Sequence, residues 1–133
     1  MEQKQKQKKK QPRYRPHYAN LSAYKKTLDL DEQFTLSTAK VPRELRYGRL
    51  TDLRNMILDI MVNIAYADMD ETERITYIEK AERLLDRLKV EARILYDLKM
   101  IKPSGLDAII AEEGNLAAQL AGWKNSTIEK LNK

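Results

Sequence analysis

Between Leu50 and Ala67 the apolar residues return at alternating steps of three and four: Leu50, Leu53, Ile57, Ile60, Ile64 and Ala67. At 3.6 residues per turn all six stack on one stripe, and such a stripe is stable in water only when a core covers it. A second stripe of Leu58, Met61 and Ala65 lies beside it, and Met56 and Val62 widen the apolar arc from both sides. Asp52, Asn55, Asp59 and Asn63 remain for water. A surface helix needs only one stripe, so the surplus predicts a central helix that packs on its own bundle and on something further, such as another subunit.

The rest of the chain supplies partners for that helix. Asn20 is a capping residue ahead of Leu21, Tyr24, Leu28, Leu30, Phe34 and Val41, an imperfect stripe that predicts a first helix ending near Ala39. Residues 40–49 read as a loop because Pro42 and Gly48 both disfavour a continuous helix. The central helix follows, starting at Gly48 or Thr51 and running to about Asp68. Asp70 with Glu73 resembles a capping box for a third helix to about Ile101, seamed by Ile78, Ala81, Leu85, Leu88, Ala92 and Leu95. Pro103 is read as its end and Ser104 with Asp107 as the next cap. The fourth helix carries Leu106, Ile109, Ile110, Leu116, Leu120, Trp123 and Leu131 on its core side, with Gly114 and Gly122 read as points where another helix comes close. The 133 residues suit one domain with a core of its own. Short connections between amphipathic helices predict an all-α fold, an antiparallel four-helix bundle over 20–133.

Charge is distributed unevenly. Residues 1–20 hold Lys4, Lys6, Lys8, Lys9, Lys10, Arg13 and Arg15 against Glu2 alone, which leaves 18 basic and 19 acidic residues for everything else. The net charge of +5 therefore describes a tail and not the bundle. Residues 1–19 are expected to be a flexible basic tail, whose Lys/Gln part, residues 1–11, cannot bury enough surface to offset the entropy of ordering. In its last part cations interleave with Tyr14 and Tyr18, a pattern that suits phosphate contact with base stacking, or else a linker whose tyrosines lie on the bundle.

An enzyme is hard to assemble from these residues. His17 is the only histidine and no cysteine is present, so triads, thiolate chemistry and multi-histidine metal sites lack parts. A carboxylate-bridged metal bundle requires Glu-x-x-His pairs, and there are none. No Gly-rich phosphate loop occurs. No cofactor and no metal are expected. Glu113, near the core stripe, and Glu91, beside the third helix's seam, read as boundary or interface residues. The chain also lacks a membrane-spanning run and a signal-peptide core, so a cytoplasmic protein without membrane contact is expected.

Basic positions carry the functional signal. Arg54, Arg74, Lys89 and Arg93 have acidic residues close in sequence and read as solvated faces. Arg43, Arg46 and Arg49 cluster in one loop, while Lys80, Arg83 and Arg87 align on one face of the third helix; with the seven tail cations these are the candidate nucleic-acid contacts. Farther along that face come Val90, Ile94 and Ile101. Leu58, Met61, Val90 and Ile94 are the expected interface of a homo-oligomer.

The stretch Val41-Pro42-Arg43-Glu44-Leu45-Arg46-Tyr47-Gly48, followed by Leu50-Thr51-x-Leu53-Arg54, resembles the approach to helix two in a large four-helix-bundle family. That family includes the accessory variability determinant (Avd) proteins and the proteins encoded in ribosomal RNA intervening sequences. Leu85-x-x-Leu88, Arg93-x-Leu95-x-x-Leu98, Glu112-Glu113-Gly114-x-Leu116 and Gly122-Trp123-x-x-Ser126 extend the resemblance over nearly all of residues 20–127, and the Gly-Trp ending is similar to the Avd-like branch. The resemblance implies a non-enzymatic partner of the reverse transcriptase of a diversity-generating retroelement. Such proteins form barrel-like homopentamers, bind RNA or DNA through basic surfaces and support mutagenic cDNA synthesis from a template RNA. By position it sets Arg43, Arg46 and Arg54 on the family's recurrent basic sites. The long Lys/Gln tail and the near-neutral bundle depart from the family pattern, and Asn63-Ile64-Ala65 is similar to the intervening-sequence branch. Two other readings stay open: an intervening-sequence-type RNA-binding bundle, and an adaptor that binds only proteins.

Overall fold

Four long helices make up most of residues 16–133, the part of the chain that the computed structural model describes. They are α1 (Ser22–Ser37), α2 (Thr51–Met69), α3 (Arg74–Asp97) and α4 (Pro103–Leu131). The helices pack in a ring, α1 against α2 and α4, and α3 against α2 and α4. Among the described residues there is no strand, and no helix is long and apolar enough to cross a membrane.

The core lies where the periodicity put it on α2 and α3. All six residues of the α2 seam from Leu50 to Ala67 are buried, and so are all six of the α3 seam from Ile78 to Leu95. Each Leu or Ile withdrawn from water in this way contributes about 1.5–3 kcal/mol to the fold. Met56 is buried with the seam, whereas Leu58 is 55% exposed.

On α1 most of the predicted stripe holds, with Leu30 and Phe34 buried and Leu21 and Tyr24 packed against the core. Ala23, Thr27, Leu30 and Phe34 face inward, while Leu28 faces out. Thr27 reaches full burial because its hydroxyl donates to the Ala23 carbonyl at 2.8 Å, so no polar atom of the side chain is left unpaired. On α4, Ile110 and Leu131 are likewise exposed and not in the core.

Helix ends also differ from expectation. Asn20 does not cap α1; it closes a short 3-10 turn, His17–Asn20, that packs on α1 and α2. Asp70 does accept the Glu73 backbone N–H at 3.1 Å, which is half of the expected capping box, and α3 begins at Arg74. Helix α3 stops at Asp97, well before Pro103, through a left-handed residue, Lys99 (φ 62°). The Met100 N–H then bonds to the Leu95 carbonyl and the Lys99 N–H to the Tyr96 carbonyl, both at 2.9 Å, closing the helix in a Schellman arrangement. Pro103 opens α4 at its first turn, where a missing N–H leaves no bond unmade. Ile101, expected on the outer face of α3, lies in this connection and is buried.

The close helix approach is at a glycine the periodicity did not mark. A Cβ at Gly105 would sit 3.1 Å from Ser37 Oγ, so α4 meets the end of α1 there. Gly114 and Gly122, read as approach points, have nothing within 4 Å of that position. The α1–α2 connection contains a one-turn helix, Arg43–Leu45, and a wide turn, Arg46–Leu50, broken by Tyr47 and by Gly48 at φ 87°. That break sets the start of α2 at Thr51.

Candidate functional site

Lys80, Arg83 and Arg87 follow one another at steps of three and four on the exposed side of α3. Their backbones span about 10 Å of helix axis at 1.5 Å per residue. With Leu84, Asp86 and Val90 of α3 and Asn63 of α2 they line a shallow groove whose surface is mostly apolar. Arg83 and Arg87 make no ion pair among the described residues, and Asp86 beside them lies 4.0 Å from Lys89. The Lys80 ammonium stands 5.2 Å over the Tyr77 ring, which in turn meets Tyr66 of α2 edge-on at 5.4 Å. Cations that remain free to bind an anion thus adjoin a pair of rings, one of them, Tyr66, 47% exposed. Phosphate contact with ring stacking is the chemistry this arrangement offers. Sequence reasoning does not single out Tyr66 or Tyr77. The spacing of Tyr77 and Lys80 at i and i+3 is the available signal, but Tyr66 joins only through the packing of α2 on α3.

The three loop arginines do not form one cluster. Arg46 donates from Nε to the Val41 carbonyl and from Nη2 to the Ala39 carbonyl, both at 2.9 Å, and so ties the loop to the end of α1. It also lines a groove between α1 and α2 together with Asp31 and Arg54. Arg49 instead crosses to α3, where its Nη1 donates to Glu91 Oε2 at 3.1 Å. Arg43 is exposed and makes no ion pair among the described residues. Sequence neighbours have become a staple, a turn-to-helix pair and an exposed cation.

Arg74 likewise departs from its reading as a solvated residue. Its guanidinium donates to the Ala67 carbonyl at 2.8 Å and to the Asp68 carbonyl at 3.1 Å, covering the last turn of α2, and lies 6.0 Å from the Trp123 ring of α4. One half-buried side chain therefore joins three helices.

Lys4, Lys6, Lys8, Lys9, Lys10, Arg13 and Arg15 lie outside the described residues. The chain enters the described region beside the α2–α3 connection, where Pro16, His17 and Tyr18 share a groove with Asp68, Met69, Glu71 and Arg74. His17 Nδ1 is 2.7 Å from Asp68 Oδ1, and Tyr18 packs on Tyr24 of α1 with ring centroids 5.5 Å apart. From Arg74 to Lys80 is about 9 Å along α3, so the basic segment attaches near the start of the basic row.

Of the expected interface residues, Leu58 and Val90 are 55% and 60% exposed, and Met61 and Ile94 are half-buried. Glu113 belongs to the core: it is 2% exposed, and its Oε2 has no hydrogen-bond partner. Burial pushes its carboxyl up to about 7, against a smaller opposing effect of Lys89 on α3. Among the described residues no three His, Asp or Glu side chains gather to hold a metal ion.

No family model matches the chain, and a comparison with curated proteins finds no match.

Proposed function

We propose that this protein is a non-enzymatic helical-bundle accessory of a reverse transcriptase in a diversity-generating retroelement, which binds template RNA or its cDNA and supports mutagenic reverse transcription. In this reading the four helices form an antiparallel bundle, and several copies assemble through the surfaces around Leu58, Met61, Val90 and Ile94. A pentamer is the expected assembly on the family resemblance alone, and the setting proposed is cytoplasmic. Nucleic acid runs along α3 from the attachment point of the N-terminal segment across Lys80, Arg83 and Arg87.

The observation that carries this reading is the row Lys80, Arg83 and Arg87, exposed beside the Tyr66–Tyr77 ring pair. In a bundle that nearly balances overall, with 18 basic and 19 acidic residues after residue 20, free cations grouped on one helix face favour a polyanion. A phosphate held by one of them releases condensed counterions, which makes affinity depend on salt.

The test is a salt titration of single-stranded RNA binding by the full chain and by a variant with Lys80, Arg83 and Arg87 all replaced by Gln. These side chains are exposed, so the fold is expected to survive. The log-log slope of affinity against salt is expected to become shallower by about one unit for each contact removed. An unchanged slope removes α3 from the interface. Failure of the wild-type chain to bind RNA or DNA favours the protein-only adaptor.

A further inference from the structure

The α1–α2 and α3–α4 connections sit side by side at the end of α1 remote from the N-terminal turn, about 20 Å along that helix. They enclose an open groove. Leu36 from α1, Leu45 from the first connection and Leu98 from the second line it, and they are 64%, 53% and 55% exposed. Three large aliphatic side chains from three elements thus meet on one surface with more than half of each in water. Lys40, Lys99 and Lys102 also line this groove, and none of them makes an ion pair among the described residues. Asp97 is the one acidic residue of the lining, and Arg93 already holds it at 3.0 Å.

We propose that this groove docks an amphipathic segment of a partner protein that presents leucine-like anchors flanked by carboxylates. Charge selects this occupant over the alternatives. The chain's own N-terminal segment carries seven cations of its own and is repelled by the lysines. A second copy that presented the same groove in a two-fold contact would set lysine against lysine. Nucleic acid, whose bases stack on rings, would find mainly aliphatic side chains here, with Tyr96 the one ring in the lining. An amphipathic helix laid in an apolar groove needs the features present here, pockets for its anchors in the floor and opposite charge at the edge.

Lys99 adds a second, independent observation. It occupies the left-handed position that ends α3, with φ 62°, where glycine makes the same two backbone hydrogen bonds without a Cβ penalty. The strained lysine makes no ion pair that would explain it within the described residues. Lys99 lines the groove with its charge unpaired among the described residues, which suits an incoming carboxylate.

The test uses the full chain and two labelled synthetic peptides of about four helical turns, with leucines at i, i+3, i+4 and i+7. One carries glutamates at the flanking positions and the other lysines. The glutamate peptide is expected to bind, and Leu45→Asp and Leu98→Asp are each expected to weaken it about tenfold or more, both sites being exposed enough to leave the helical signal unchanged. Replacing Lys40, Lys99 and Lys102 together by Glu is expected to reverse the preference to the lysine peptide. Lys99→Gly is expected to weaken glutamate-peptide binding while raising the thermal midpoint, a split that a purely structural lysine would not produce. Equal binding of the two peptides overturns the proposal. So does glutamate-peptide affinity that survives Leu45→Asp and Leu98→Asp, because the N-terminal cations would then be the binding site. Displacement of the peptide by single-stranded RNA whose own binding is lost in the triple Glu variant assigns the groove to nucleic acid and overturns it as well. The α3 row is untouched in all these variants, so RNA binding there can fail or succeed independently.

Discussion

Arg49 Nη1 lies 3.1 Å from Glu91 Oε2, joining the turn before α2 to the second half of α3. Glu91 stands one turn beyond Arg87 on the same side of the helix. The pair therefore ends the basic row by neutralising a fourth cation that would otherwise extend it. The two side chains are 39% and 22% exposed, so the contact is worth no more than about 1 kcal/mol to the fold. Its larger effect is on the surface potential.

Glu91→Gln releases Arg49 from its charge partner and lengthens the row toward the α1–α2 connection. Affinity for single-stranded RNA is expected to rise, with a salt slope steeper by up to about one unit, while the thermal midpoint hardly moves. Arg49→Gln, in which Glu91 is left uncompensated, is expected to weaken binding. Fluorescence titration at several salt concentrations checks both directions; a fall in affinity for Glu91→Gln would mean that Arg49 needs its partner in order to stay in place.

Glu113 makes stability depend on pH. Its folded carboxyl titrates near 7 and its ordinary value is 4.5, so between those values the folded chain holds a proton that the unfolded chain has released. Unfolding then becomes easier as pH rises from about 4.5 to 7, and the cost is fully present above 7. Each tenfold change in acidity corresponds to about 1.4 kcal/mol, and partial screening brings the whole effect to about 1–3 kcal/mol. Glu113→Leu, which removes the unpartnered Oε2, is expected to raise stability at pH 8 by about that amount and to change it much less at pH 4.5. Denaturant melts at the two pH values provide the check, and an equal gain at both would show that packing and not charge is responsible.

Gly114 and Gly122 lie on an open side of α4, where a Cβ added at either would have nothing within 4 Å. Ala at each is expected to stabilise the folded chain by about 0.5–1 kcal/mol, from helix propensity and a less disordered unfolded state. Gly105→Ala is expected to gain less or to lose, because its Cβ meets the Ser37 side chain at 3.1–3.2 Å. Chemical denaturation of the three single variants gives the order directly. A loss at Gly114 or Gly122 would reveal a neighbour in an assembly of several copies.

Assembly is tested through Val90, which is 60% exposed and continues the row of Lys80, Arg83 and Arg87 as an apolar position. The wild-type chain is expected to have an oligomeric mass in solution, and Val90→Asp is expected to lower that mass with helical content unchanged. The exposed position separates this outcome from unfolding, which Ile94→Asp, at a half-buried site, does not do as cleanly. Sedimentation at tens of micromolar decides the matter, and a monomeric wild type would end the interpretation of the surplus apolar face as a subunit interface.

Legibility followed the range of the interaction. The seams Leu50 to Ala67 and Ile78 to Leu95 were readable because helical periodicity is local, and a residue four positions on shares its neighbour's face whatever the rest of the chain does. On α1 the same method placed Leu28 inward, because a mixed pattern of Leu, Thr and Ala leaves the face to be chosen by the contacts with α2 and α4. Pro103 was visible as a boundary, but its side was not. The left-handed turn at Lys99 ends α3 earlier, and a lysine gives no local sign that it will adopt φ 62°.

By itself the amino-acid order determined four helices, two complete core seams and a concentration of cations in the N-terminal segment and along α3, since each depends on residues a few positions apart. Only the tertiary structure decided which charges stay available. Arg46 is taken up by two carbonyls, Arg49 by Glu91 and Arg74 by the end of α2, whereas Lys80, Arg83 and Arg87 keep their outer face. The same holds for Glu113, whose carboxyl is raised by the elements that surround it and not by its place in the chain. An ion pair or a buried charge exists only when separate elements meet, and the distance between Arg49 and Glu91 along the chain, 42 residues, carries no trace of the 3.1 Å between them in space.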